Sequence, residues 1–153
     1  MKSVFIGSGV ALVTPFCKDG SINEEMLEEL VEYHCINQTD AIIVCGTTGE
    51  SATLSEEERL LCIKRAVQFA RGRVPIIAGT GTNCTRTTVQ LSKEAEECGA
   101  DGVLVVTPYY NKPTQKGLLA HYGKLAENIK IPILIYNVGN RTGCNIEPET
   151  VFL

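Results

Sequence analysis

An apolar, β-branched run, Ile131-Pro132-Ile133-Leu134-Ile135, leads directly into Tyr136-Asn137-Val138-Gly139-Asn140-Arg141-Thr142-Gly143. The run reads as a buried parallel strand, so a phenol, an amide, a glycine turn and a guanidinium gather at its end. Such groups are costly to collect at the mouth of a core strand unless something binds there. Two other segments have the same character. Gly46-Thr47-Thr48-Gly49-Glu50-Ser51 sets two hydroxyls and several backbone N–H groups between glycines, a set that can hold a carboxylate. Pro108-Tyr109-Tyr110-Asn111 pairs two tyrosines, which could pass protons or pack at a subunit interface. Taken singly, each segment also fits a plain turn. What separates the readings is that all three fall at the same place in the chain's repeating pattern.

That pattern is strand, polar loop, amphipathic helix, at a spacing of about 30 residues, as in β-α-β units. Short apolar runs at Val10–Val13, Ala41–Cys45, Pro75–Ala78, Gly102–Val106 and Ile131–Ile135 read as five strands. Asn23 is the expected N-cap of a first helix with Met26, Leu27, Leu30, Val31 and His34 at helical spacing. Ser55 with Glu58 forms the capping box of a second, which runs towards Gly72. Further helices are expected over Thr85–Cys98 and Gln115–Asn128, and the first turns of another over Glu147–Leu153. Parallel β-α units build either a doubly wound sheet or a (β/α)8 barrel. No G-x-G-x-x-G follows the first strand, and the polar segments all lie after strand C-termini, where barrel sites sit. The expected fold is α/β of the TIM (β/α)8 class. Since a complete barrel has eight strands over typically ~250 residues, residues 1–153 are expected to be a partial barrel ending before the sixth strand.

Composition excludes little but does so clearly. A net charge of −4 offers no electrostatic case for nucleic acid or an acidic membrane. No apolar run approaches the roughly 20 residues of a spanning helix, the N-terminus lacks a secretory signal, and a cytoplasmic protein is expected. Seven scattered cysteines, odd in number and without C-x-x-C, read as reduced and largely buried rather than as disulfides or a zinc site. His34 and His121 have no ligand spacing and read as helix residues. No metal and no organic cofactor is expected.

Five segments in this order resemble the dihydrodipicolinate synthases of the pyruvate-dependent class I aldolase superfamily, which also contains N-acetylneuraminate lyase. They are Gly9–Pro15, Gly46–Leu54, Ile77–Gly81, Thr107–Pro113 and Tyr136–Gly143, and the resemblance spans essentially the whole chain. It implies a lyase of lysine and diaminopimelate biosynthesis that condenses pyruvate with aspartate semialdehyde through a Schiff base. It further implies that Tyr136, Thr47 and Tyr110 form a proton relay, with Tyr110 reaching a neighbouring subunit in a homo-oligomer, a dimer of dimers. Thr48 would contact the pyruvate carboxylate, Arg141 would grip that of the semialdehyde, and Gly46 and Asn137 would complete the substrate contacts. Ser51, Ala52, Asn83 and Tyr109 match a lysine-inhibition cleft. Glu56, Arg59 and Thr87 stand where members inhibited by lysine have histidine and acidic residues, so weak or absent inhibition by lysine is expected.

The chain departs from the family in two further ways. Gly139-Asn140-Arg141 stands where Pro-x-Arg is usual, which loosens the turn before Arg141. The Schiff-base lysine belongs on the next strand. Lys2, Lys18, Lys64, Lys93, Lys112, Lys116, Lys124 and Lys130 all fall at the terminus, in loops or on helices, none within an apolar strand that would depress its pKa. No residue of this chain is assigned as the nucleophile, and the chain alone is expected to be inactive. Two alternatives stand beside this reading. One is another pyruvate aldolase, of the keto-deoxy sugar acid or sialate type, which Arg141 and Tyr109-Tyr110 disfavour. The other is a non-catalytic partial barrel acting as an assembly partner.

Overall fold

A computed structural model of the protein describes residues 3–151. Five parallel strands are β1 Gly9–Ala11, β2 Ala41–Val44, β3 Ile76–Gly79, β4 Gly102–Val106 and β5 Ile133–Tyr136. They alternate with α1 Glu24–Ile36, α2 Glu56–Ala70, α3 Thr85–Glu97 and α4 Gln115–Ala126, and two single turns follow, α5 Gly139–Thr142 and α6 Pro148–Val151. The spatial order is β1-β2-β3-β4-β5, every neighbouring pair parallel. A doubly wound sheet would reverse its order at a switch point. Here the order never reverses, and α1 packs on α2, α2 on α3 and α3 on α4, so the helices form one continuous layer. That is the arrangement of a barrel's outer ring over the first five β/α units.

The helices begin where their caps dictate. The Asn23 side chain accepts from the N–H of Met26 at 3.0 Å. Ser55 Oγ accepts from the N–H of Glu58 at 3.1 Å, and the Glu58 carboxylate accepts from the N–H of Ser55 at 2.8 Å. These reciprocal bonds occupy donors that the first helical turn leaves free. The main core lies between helix layer and sheet. Leu27 and Val31 of α1, Ile63 and Ala66 of α2, Ala95 of α3 and Leu125 of α4 meet Ile42, Ile76, Val103 and Val105. Fully burying one such Leu, Ile or Val side chain contributes about 1.5–3 kcal/mol.

The structure corrects several expectations. β1 is Gly9–Ala11 rather than Val10–Val13, and Val13 is exposed, although Leu12 N–H still reaches Ile43 O at 2.9 Å. β5 starts at Ile133 and is only half-buried, with Ile135 44% exposed, because among the described residues it pairs with β4 alone. The glycine turn before Arg141 is the helical turn α5, closed by Gly143 at φ +66°. Met26, expected on the core face of α1, is exposed. All seven cysteines are free thiols, but only Cys45, Cys62 and Cys144 are buried. α6 covers 148–151 of the expected 147–153; residues 152 and 153, like Lys2, lie outside the described residues.

Candidate active site

Parallel strands set all their C-termini at one end of the sheet, so the loops after β2, β3, β4 and β5 meet there. Backbone geometry marks this end. Of the six non-glycine residues at positive φ among the described residues, four sit in these loops: Cys45 (+54°), Glu50 (+56°), Tyr110 (+72°) and Lys112 (+45°). Left-handed backbone costs a residue with a Cβ and persists where surrounding contacts over-determine it. Those contacts are visible. Buried Thr14 donates through Oγ1 to Gly49 O at 2.7 Å, Glu50 N–H reaches Thr47 O at 3.1 Å, and Ser51 N–H reaches Gly46 O at 3.3 Å. Thr107 donates to the hydroxyl of Thr142 at 3.1 Å, joining the loop after β4 to α5. Thr14, Thr107 and Thr142 thus shape the site without having been singled out in the sequence. The polar residue in each apolar run's C-terminal flank was the available signal.

Gly79 and Gly81 set how closely the strands approach. A Cβ on Gly79 would collide with the carbonyl of Cys45, and one on Gly81 with the backbone N of Val106. Bare backbone at the end of β3 and just beyond it therefore lets Cys45, after β2, and Val106, at the end of β4, approach closely.

Two hollows result. The smaller, about 30 Å³, is lined by Gly46, Thr47, Ser51, Gly79, Gly81 and Tyr136 among others, and offers about the room of a water molecule. The larger, about 290 Å³, adjoins it through shared Thr47, Ser51, Gly81 and Val106, and adds Arg59, Tyr109 and Arg141. Thus Thr47, Tyr136 and Gly46 come together, and Arg141, Ser51, Ala52 and Tyr109 line the neighbouring space.

The remaining expected site residues lie apart. Tyr110 is 90% exposed, lines neither hollow, and shares no hydrogen bond with Thr47 or Tyr136 among the described residues. Thr48 is exposed beside Thr47. Asn137 is occupied structurally: its Nδ2 donates to Asn145 Oδ1 at 2.9 Å and its Oδ1 accepts from Ile146 N–H at 3.2 Å, so its amide holds the segment before α6. The Asn83 carbonyl accepts from Asn111 Nδ2 at 3.1 Å, tying the loops after β3 and β4. Among the described lysines none lies on a strand: Lys64, Lys93, Lys116 and Lys124 are helical, and Lys18, Lys112 and Lys130 are in connections. Beneath the site, Cys45 and Cys62 are buried thiols, and the neighbouring Cys62 together with burial pushes the Cys45 thiol well up, its S–H donating to Arg59 O at 3.7 Å.

The dihydrodipicolinate synthetase family's sequence model matches residues 4–152. The chain belongs to the dihydrodipicolinate synthetase family. It is 55% identical over 148 residues to a 4-hydroxy-tetrahydrodipicolinate synthase of Lachnoclostridium phytofermentans, covering 97% of this chain and 50% of that one. It superimposes on dihydrodipicolinate synthase from Aquifex aeolicus with a TM-score of 0.94 at 53% identity, over 95% of this chain and 50% of the other. The chloride-inhibited dihydrodipicolinate synthase from Acinetobacter baumannii, solved with pyruvate, gives a TM-score of 0.94 at 49% identity, over 97% and 50%. The chain spans about half the length of these relatives. This member of the dihydrodipicolinate synthetase family is therefore the family's barrel over its first five β/α units, with the strand-end loops in place.

Proposed function

We propose that this chain carries the proton-relay and carboxylate-binding half of a 4-hydroxy-tetrahydrodipicolinate synthase, whose substrates are pyruvate and aspartate semialdehyde. The observation that carries this reading is the pair of adjoining hollows, the smaller lined by both Thr47 and Tyr136 and the larger by Thr47 and Arg141. A tyrosine beside a carbonyl or imine can take and return its proton when a neighbouring hydroxyl holds the phenol, the role this reading gives Thr47, which lines the same hollow. Arg141, set on the single turn α5, offers a planar pair of donors for a carboxylate, and Thr48 adds an exposed hydroxyl in the loop after β2. Tyr110 projects from the molecule, which supports its reaching a second subunit's site in a homo-oligomer. Arg59 in the wall of the larger hollow supports weak inhibition by lysine, since it repels a cationic amine.

The reaction needs an amine to form the Schiff base, and none of the described lysines is desolvated on a strand. The domain reading follows: residues 1–153 are the first part of a barrel whose nucleophile comes from further chain. Incubation with pyruvate and borohydride, read by intact mass and peptide mapping, tests this. The expected result is no adduct on these residues, and, in a longer form with the remaining strands, one adduct on a lysine beyond Leu153. In that form Tyr136→Phe should lower turnover by about 10²–10⁴-fold, the usual weight of a general acid–base group. An adduct on Lys112 of the 153-residue chain, or turnover by it, would sink the proposal.

A further inference from the structure

Arg141 stands exposed on the wall of the larger hollow. The ion pairs among the described residues are Arg65–Glu24, Arg73–Glu32 and Lys124–Glu127, so no carboxylate holds its guanidinium. Its place is therefore set by the backbone that carries it, and that backbone is a weak element. The turn α5 has four residues, and its N-cap, Val138, gives it no side-chain bond. Gly139 opens it with the least restricted backbone, where a proline ring would have stiffened it. Its own bonds are Arg141 N–H to Val138 O at 2.9 Å, Thr142 N–H to the same carbonyl at 3.1 Å and Gly143 N–H to Gly139 O at 2.9 Å. A single turn fixes many dihedrals for few such bonds and does not stand alone.

Two buried hydroxyls tie this turn to the neighbouring strand. Thr107, just past β4, is 0% exposed, and Thr142, the last residue of α5, is 5% exposed. Thr107 Oγ1 donates to Thr142 Oγ1 at 3.1 Å. Thr142 Oγ1 also accepts from Cys144 N–H at 3.3 Å, and the carbonyls of Cys144, at 2.9 Å, and Val138, at 3.3 Å, are within reach of its own proton. A hydroxyl has one proton and two lone pairs, so its capacity is filled. On its other side, Thr107 donates its backbone N–H to Tyr136 O at 3.0 Å. Thr107 is thus bonded through its backbone to Tyr136 and through its side chain to the turn that bears Arg141. It lines neither hollow, so its influence on a substrate passes through these partners. We infer that Thr107 and Thr142 are positioning residues: their hydroxyl pair fixes the Arg141 guanidinium relative to Tyr136, and with it the reach between the carboxylate grip and the proton-transfer group. The roles of Arg141 and Tyr136 in this inference rest on the synthase reading above; the anchoring of α5 rests on the hydroxyl geometry alone.

Thr107→Val tests this, because it keeps the β-branched shape and removes one hydrogen bond. In the 153-residue protein, residue-resolved hydrogen exchange read by mass spectrometry should show the N–H groups of Arg141, Thr142 and Gly143 exchanging about two- to tenfold faster than in the parent, the weight of one buried neutral hydrogen bond. Thr107→Ser keeps the donor and should restore the parental rates. The N–H of residue 107 itself, bonded to Tyr136 O, is the internal control and should keep its protection. Unchanged exchange of α5 in Thr107→Val would overturn the inference, as would equal loosening in Thr107→Ser. Loosening in Thr142→Val alone would also overturn it, since the turn would then be held by its bonds to Cys144. In the longer form with the remaining strands, Thr107→Val should raise the KM for aspartate semialdehyde about two- to tenfold, with kcat and the KM for pyruvate within about twofold of the parent, because binding of one substrate is loosened and not the chemistry. In an Arg141→Gln background the same substitution should change that KM little, because its effect runs through the guanidinium. A fall in kcat with both KM values unmoved, or the full KM effect in Arg141→Gln, would show a general loosening and overturn the inference. A parent without synthase turnover would overturn the synthase reading instead, and the exchange rates would still decide whether the hydroxyl pair holds α5.

Discussion

Gly79 and Gly81 bear more of the site's shape than any of the polar residues around them. In the sequence they sit in a stretch that looks like one more polar loop. In the molecule they are where a hydrogen in place of a methyl lets Cys45 and Val106 come into backbone contact. Gly79→Ala should force β2 and β3 apart and destabilise by about 1–3 kcal/mol, the range for overpacking a tight interior. It should also widen the small hollow between Thr47 and Tyr136. Urea unfolding of the variant measures the first effect; an unchanged midpoint would mean that the strands are less closely apposed than described. Thr47, Tyr136 and Arg141 were legible as candidates because hydroxyl, phenol and guanidinium recur after strand ends, and all three line the adjoining hollows. Arg59 was legible only as a substitution in a motif, since helical spacing places it on α2 but does not reveal that its guanidinium turns into the protein. An amide such as Asn137 at a strand end suits ligand and chain equally, and the sequence does not reveal that it bonds Asn145 and Ile146.

Elements were legible in proportion to how local their causes are. The α1 and α2 caps follow from three-residue spacings, so both begin where the sequence places them. α5 was not legible, because a single turn has no periodicity to read. β5 reads as a buried strand from composition, yet its burial depends on what lies beside it. The α3–α4 seam shows another cause invisible in sequence. His121 is buried, its Nδ1 meets Thr85 Oγ1 at 2.9 Å, and its Nε2 has no partner. Burial holds its pKa below the usual 6.5, because a protonated ring would lose hydration without an acid to replace it. The unfolded chain then binds a proton that the folded chain refuses. This contribution to stability is whole above pH 6.5 and is lost progressively as pH falls from there towards the folded value. Denaturant midpoints measured between pH 8 and pH 5 should therefore fall on acidification, and more steeply than in His121→Gln. Parallel pH profiles for the two proteins would show that His121 is not the group responsible.

At the scale of the molecule, the barrel class was legible because it rests on the repeat itself, and the unreversed strand order bears that out. What no repeat conveys is the surface that five units leave uncovered. Ile133 and Ile135 of β5, Leu118, Leu119 and Tyr122 of α4, and Ile146 line an apolar hollow of about 390 Å³. Above it, the outer backbone edge of β5 is unpaired among the described residues. An apolar face next to a free strand edge has two unmet demands, area to remove from water and hydrogen bonds to complete, and another strand meets both. In the longer protein proposed above, further chain supplies that strand; in the 153-residue protein the nearest supply is another molecule. The isolated chain should therefore associate with rising concentration in sedimentation velocity and bind an apolar dye such as ANS. Ile135→Lys places a charge on the half-exposed edge without touching the buried core between sheet and helices, and should shift the distribution towards monomer while leaving the thermal transition cooperative. A parent chain that stays monomeric and dye-free at all concentrations would show that five β/α units close their own surface, and that the β5 edge is not where this molecule meets another chain.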